Sequence, residues 1–177
     1  MTVSFLNFAD TYFEIAPEID KAIKGVLESG NYIQGEVVAK FECAWATYCA
    51  ADHAVGVGNG LDALTLALKA LNIGVGDEVL VPAHTYIATW LAVSHCGAKL
   101  VPVEPDPVTG NIDVLQLEHK ITHRTRAIIP VHLYGCPVDL DPVLDIARTH
   151  NLFVIEDAAQ SHGAKYKGKP IGSHGDI

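Results

Sequence analysis

A chain of 177 residues is about one domain long, and with 49% hydrophobic residues, 19% charged residues and a mean hydropathy of +0.22 it can bury a real core. The formal net charge of −9, carried with only 12 Lys plus Arg, argues against a surface for nucleic acid or for anionic membranes. No run nears the ~18 apolar residues of a membrane span, and Asp10 and Glu14 stand where a basic-then-apolar leader would be. The four cysteines, Cys43, Cys49, Cys96 and Cys136, form neither a CxxC pair nor a short disulfide framework, so a reduced, cytoplasmic setting is expected.

After Pro17, the residues Ile19, Ile23, Val26 and Leu27 recur at helical spacing, and Gly30 ends the run. Glu36 to Cys49 reads as a second amphipathic helix, whose face of Val37, Phe41, Trp45 and Tyr48 is expected to be core rather than a cofactor box. His53 to Val57 predicts a short strand. A glycine-rich turn follows, and a helix runs on to Leu71 with Leu61, Leu64, Leu68 and Leu71 on its buried side. Gly74 to Asp77 is a turn, Glu78 to Pro82 a strand, and Tyr86 to Cys96 a helix. Lys99 to Val103 is a further strand, and Asp113 can cap a short helix to Lys120. Ala127 to Val131 is a strand whose Pro130 favours its end or an edge. Asp141 to His150 is a helix, and Phe153 to Ile155 a buried strand. Strands separated by helical runs predict an α/β fold, a mostly parallel sheet with flanking helices and no internal domain boundary.

Candidate sites fall where strands end. Gly56-Val57-Gly58-Asn59-Gly60-Leu61 opens a helix directly after the expected strand, so its backbone N–H groups and the helix dipole can cradle a phosphate. A structural turn that needs glycine is the competing reading. It is not the GxGxxG dinucleotide motif, because Leu61 stands at the third glycine position, although Asp77 and Glu78 lie roughly where a ribose-binding acid would fall. Pro82 to Thr89 brings an aromatic ring, Tyr86, just past a strand end, able to stack on a flat ligand or simply to pack. Pro130-Val131-His132-Leu133-Tyr134-Gly135 lies at another strand end. Asp157 follows the last strand, placed either to meet a ligand at the carboxyl edge of the sheet or to cap the next turn, while Glu156 should face the opposite side. Nine histidines show no HExxH and no paired His/Cys spacing, so no metal site is expected.

A phosphate cradle, a stacking ring and a strand-end carboxylate suit pyridoxal phosphate, whose pyridine nitrogen an ionised Asp keeps protonated. The set Gly58-Asn59-Gly60-Leu61-Asp62-Ala63-Leu64, Gly76-Asp77-Glu78-Val79, Pro82 to Thr89, Pro130 to Gly135 and Glu156 to Ala164 resembles the DegT/StrS-type aminotransferases, in order and along the whole chain. The resemblance implies an enzyme that aminates nucleotide-linked keto-sugars, with glutamate as donor, in deoxysugar or polysaccharide biosynthesis. It also implies the type I pyridoxal-phosphate fold, with homodimers whose active sites lie at the subunit interface. Residues 1–177 would be the N-terminal part of the large cofactor-binding domain. Gly60 and Leu61 would hold the phosphate with Asn59 alongside, and Tyr86 would stack on the ring. Asp157 would pair with the ring nitrogen, Gln160 would approach the ring hydroxyl, and His162 would be a secondary contact. The Gly-Asn-Gly-Leu-Asp-Ala-Leu form looks most like members that aminate C3 of a thymidine-diphosphate keto-deoxysugar.

One departure stands against these matches. In this family the Schiff-base lysine follows the Gly-Asp motif after a short aromatic and Ser-containing stretch, whereas this chain closes at Gly175-Asp176-Ile177. None of its lysines matches that position, and Lys165, Lys167 and Lys169 read as a solvated turn, so the chain alone is expected not to turn over. Two other readings remain: a non-catalytic binding or dimerisation module, and a dinucleotide-dependent oxidoreductase.

Overall fold

The computed structural model describes residues 5–177. They divide into two compact units, one through Ala44 and one from Trp45 to Ile177.

The first unit holds helix α1 (Ala9–Ser29) and the opening of helix α2 (Glu36–Cys49). The expected start of α1 after Pro17 is corrected, since Pro17 lies inside the helix. Asn7 supports the earlier start by accepting from the Ala9 N–H at 3.1 Å. Pro17 supplies no N–H to the turn before it, and on an exposed helix water can take up the carbonyl left over. None of the residues of α1 is buried. On α2 only Ala46 is buried, and Val37, Phe41 and Tyr48 are exposed, so the core role expected for this face is also corrected. An apolar stripe shows what a helix can bury, without guaranteeing that its own chain supplies the cover.

The second unit is a parallel sheet between two pairs of helices. Strands β1 (Glu78–Pro82), β2 (Lys99–Val103), β3 (Thr125–Ile128) and β4 (Phe153–Val154) lie in the order β2-β1-β3-β4, all parallel. Side-chain alternation assigns the two faces. Val79, Val81, Ala127, Ile129 and Ile155 pack with helices α3 (Gly60–Ala70) and α4 (Ile87–His95). Leu80, Val103, Ile128 and Val154 pack with α5 (Leu117–Lys120) and α6 (Leu140–His150). A sheet covered on both faces explains why its central strands read as near-continuous apolar runs.

His53 to Val57, expected as a strand, joins no ladder, and Val55 is 78% exposed. A strand exists only beside a partner, and none of the four strands takes this segment. The third strand is shorter than expected. Beyond Ile128 it continues through single contacts, Ile129 N–H to Leu80 O at 2.9 Å and a bridge between Val131 and Asp157, because Pro130 brings no N–H. Past β4 the chain folds into a small hairpin of β5 (Lys165–Tyr166) and β6 (Lys169–Pro170). It then returns along β4: Asp176 N–H donates to Val154 O at 2.8 Å, and Glu156 N–H donates to Ile177 O at 2.8 Å.

Candidate functional site

Short connections bring helix starts to the carboxyl edge of the sheet. Helix α3 reaches β1 through the turn of residues 71–77, so it runs antiparallel to that strand and begins at the strand's carboxyl end. Helix α4 leaves β1 after four residues and starts at the same edge, where Trp90 Nε1 donates to Pro82 O at 2.9 Å and pins it. This edge is where open α/β sheets bind ligands.

At the start of α3, Asn59 is extended and caps the helix, its Oδ1 accepting from Asp62 N–H at 2.9 Å and its Nδ2 donating to Asp62 Oδ2 at 3.0 Å. A Cβ on Gly58 would come within 2.7 Å of Asp62 Oδ2, so a larger residue there would displace the Asp62 carboxylate. No acceptor among the described residues takes the N–H groups of Gly60 and Leu61, while the Leu61 side chain packs inward on the α3/α4 core. Two open first-turn donors at the positive end of a helix are suited to an anion.

Tyr86 is the N-cap residue of α4 and is 72% exposed, its ring open at the carboxyl edge. One turn on, Thr89 is buried and donates to Asp157 Oδ2 at 2.9 Å. Asp157 is itself only 8% exposed. Its Oδ1 accepts from Ala159 N–H at 3.2 Å, so the carboxylate does cap its own turn while also lying at the strand end. Its backbone is held on both sides, by Asp157 N–H to Pro130 O at 2.9 Å and His132 N–H to Asp157 O at 3.0 Å.

Glu156 points to the opposite face and is fully engaged. Its carboxylate accepts from the N–H groups of Gly172 at 2.8 Å, His174 at 2.6 Å and Gly175 at 2.7 Å, and meets His132 Nε2 at 3.1 Å. Val138 N–H donates to His132 Nδ1 at 3.0 Å, so the ring proton sits on Nε2 and is given to Glu156. Burial pushes the Glu156 carboxyl up, but the His132, Gly175, Gly172 and His174 donors outweigh it and hold it at about 2.

Gln160 is exposed, and its Oε1 accepts from Tyr134 N–H at 2.9 Å, fixing Tyr134 in the left-handed region at φ 55°. The Gln160 amide nitrogen remains available as a donor. His162 is exposed with its ring edge-on to Trp45 at 5.5 Å, and the loop continues through Gly163, where a Cβ would lie 2.7 Å from the Tyr48 hydroxyl. Hydrogen bonding thus ties the Tyr86 turn to Asp157, and Gln160 to the short helical turn that follows the third strand. Among the described residues no hydrogen bond ties the Asn59–Leu61 turn or His162 to Asp157. Among the lysines, Lys99 pairs with Glu78, Lys167 with Asp141, and Lys169 with the Ser173 carbonyl. Among the described residues no group of three or more His, Cys, Asp or Glu could hold a metal ion, and no helix is long and apolar enough to cross a membrane.

Residues 14–177 match the family described as DegT/DnrJ/EryC1/StrS aminotransferase. The chain belongs to this family. A dTDP-3-amino-3,4,6-trideoxy-alpha-D-glucose transaminase of Streptomyces venezuelae is 53% identical to it over 175 residues, covering 99% of this chain and 46% of that protein. A dTDP-3-amino-3,6-dideoxy-alpha-D-galactopyranose transaminase of Aneurinibacillus thermoaerophilus is 53% identical over 174 residues, covering 98% of this chain and 48% of that protein. Among solved structures, that of S. venezuelae DesV in complex with a ketimine intermediate superposes with a TM-score of 0.95 at 54% identity, covering 97% of this chain and 46% of the other. The chain spans about half the length of the curated relatives it matches. Its parallel sheet with helices on both faces is therefore the fold of the DegT/DnrJ/EryC1/StrS aminotransferases, and the dinucleotide reading of the glycine turn, already at odds with Leu61, gives way.

Three side chains that frame Asp157 and its neighbour had no partner assigned from the sequence. Thr89 carries no signal of its own in the sequence beyond its spacing of three from Tyr86, which suits a shared helical turn. Glu156 and His132 each lie at a strand end, yet nothing in linear order shows that their side chains meet.

Proposed function

We propose that this chain is the cofactor-holding part of a pyridoxal-phosphate-dependent aminotransferase that aminates a nucleotide-linked keto-sugar, with an amino acid, glutamate by family resemblance, as donor. The observation that carries the reading is Asp157, a buried carboxylate fixed at a strand end and hydrogen-bonded to the helical turn that exposes the Tyr86 ring. The names of the two curated relatives support the substrate class, both being transaminases of dTDP-linked amino sugars. Residues 1–177 would form the N-terminal part of the large domain.

The residues present fit the cofactor chemically. The open N–H groups of Gly60 and Leu61 bind the phosphate, with Asn59 shaping the turn. Tyr86 would cover one face of the ring and exclude water from it. Asp157 holds a proton at the ring nitrogen. Gln160, whose oxygen already accepts from Tyr134 N–H, would have its amide N–H free to donate to the ring hydroxyl, and His162 would be a secondary contact. Bound there, pyridoxal phosphate supplies the electron sink that amino-group transfer requires. No lysine of this chain is given the covalent role.

An absorbance titration with pyridoxal phosphate, before and after borohydride, tests the reading. The expected result is a saturable shift that dialyses away, leaves no reducible adduct, and is lost on Asp157→Ala. A reducible adduct lost in that variant would assign the covalent role to a lysine of this chain, and no binding would overturn the cofactor assignment. We also place the working protein in a homodimer, supported by the exposed apolar side chains along α1, among them Phe13, Ile23 and Leu27.

A further inference from the structure

We infer that Thr89, backed by Thr85, is a positioning residue that fixes the orientation of the Asp157 carboxylate toward the ring nitrogen of the cofactor. The inference rests on the cofactor reading above. Thr89 is 1% exposed and lies in the first turn of α4, with its Oγ1 2.9 Å from Asp157 Oδ2 and 2.9 Å from Thr85 Oγ1. A threonine hydroxyl has one proton, and a carboxylate can only accept. The Thr89 proton therefore goes to Asp157, and Thr85 must give its own proton to Thr89. The result is a one-way chain of donors, Thr85 to Thr89 to Asp157, in which each bond polarises the next.

Sequence position makes this chain more than packing. With Oδ2 taken by Thr89 and Oδ1 by Ala159 N–H, the carboxyl plane is held from both sides, so rotation about its last bond is arrested. The turn that carries Thr89 also carries Tyr86, and Thr89 N–H donates to Tyr86 O at 3.2 Å. A single helical turn thus sets both the ring that stacks and the carboxylate that meets the nitrogen. Buried hydroxyls that orient a charged group behave as the outer partners of metal ligands do, where their loss typically costs 10–100-fold in affinity.

Equilibrium binding of pyridoxal phosphate to the chain, and the pH at which the bound cofactor's absorbance titrates, would be compared for wild type, Thr89→Val, Thr89→Ser, Thr85→Val and Asp157→Asn. Thr89→Val should weaken binding about tenfold and lower the titration midpoint of the bound cofactor, with thermal unfolding little changed. Thr89→Ser, which keeps the hydroxyl, should restore both. Thr85→Val, at a half-buried position that tolerates the change, should move both readouts in the same direction by about two- to threefold in affinity; no movement there overturns the relay if Thr89→Val does not fold. Unchanged affinity and midpoint in Thr89→Val overturn the inference while the cofactor reading stands. Absent wild-type binding, or Asp157→Asn binding like wild type, overturns the cofactor reading and this inference with it.

Discussion

Glu156 shows how one side chain can hold several pieces of chain together. Removing its carboxylate leaves three backbone N–H groups and the His132 ring N–H facing a void. Glu156→Ala should therefore cost about 3–5 kcal/mol of stability, measured by urea unfolding. The same residue shapes the acid response together with Glu78, whose carboxyl the Thr122 hydroxyl and Lys99 hold at about 2. Both folded values lie below the ordinary 4.5, so the unfolded chain takes up more protons as the pH falls. Their contribution is complete above about 4.5 and is lost as the pH falls through about 2. Urea midpoints taken from pH 6 down to 3 should fall, and Glu156→Gln should flatten that slope; an unchanged slope would remove Glu156 from the acid response. The places of Tyr86 just past β1 and of Asp157 after the last strand were readable from the sequence, because buried apolar runs end there, although each kept a packing or capping reading beside a ligand one. The partners that orient them were not, since Thr89 and Asp157 are 68 positions apart and only the fold brings them together.

At the scale of elements, short apolar runs separated by stretches of helical spacing were the strongest signal. Val79, Leu80 and Val81 pack in turn on opposite faces, and the two core clusters follow from that period of two. Helix α3 is bound to its face by Leu68, which is fully buried. Leu68→Ala should destabilise by about 2–5 kcal/mol and loosen α3 on the sheet, so cofactor affinity and stability should fall together in a parallel titration and melt. The elements that sequence misjudged share a cause, which is that period and composition describe a segment without its neighbours. His53 to Val57 reads as a short strand and lacks a ladder, the α2 face has the spacing of a core helix while Val37, Phe41 and Tyr48 stay exposed and Trp45 is half-buried, and Pro17 sits within a helix whose exposed turn tolerates it.

For the molecule as a whole, exposed apolar surface is the feature that asks for a partner. Phe13 and Leu27 of α1 are both solvent-facing, and surface of this kind is what an oligomer covers. A homodimer predicts that Phe13→Ser with Leu27→Ser shifts sedimentation from dimer toward monomer while circular dichroism is kept; a wild-type chain sedimenting as a monomer at all concentrations would overturn it. Burial also singles out one imidazole among nine. His132 has no exposed surface, whereas the others are exposed or, for His174, half-buried. Its ring is held between the Val138 N–H and the Glu156 carboxylate, so it cannot reach an acylating reagent while the sheet is closed. Its modification would then count openings of the whole domain, making that ring a chemical clock for unfolding built into the protein.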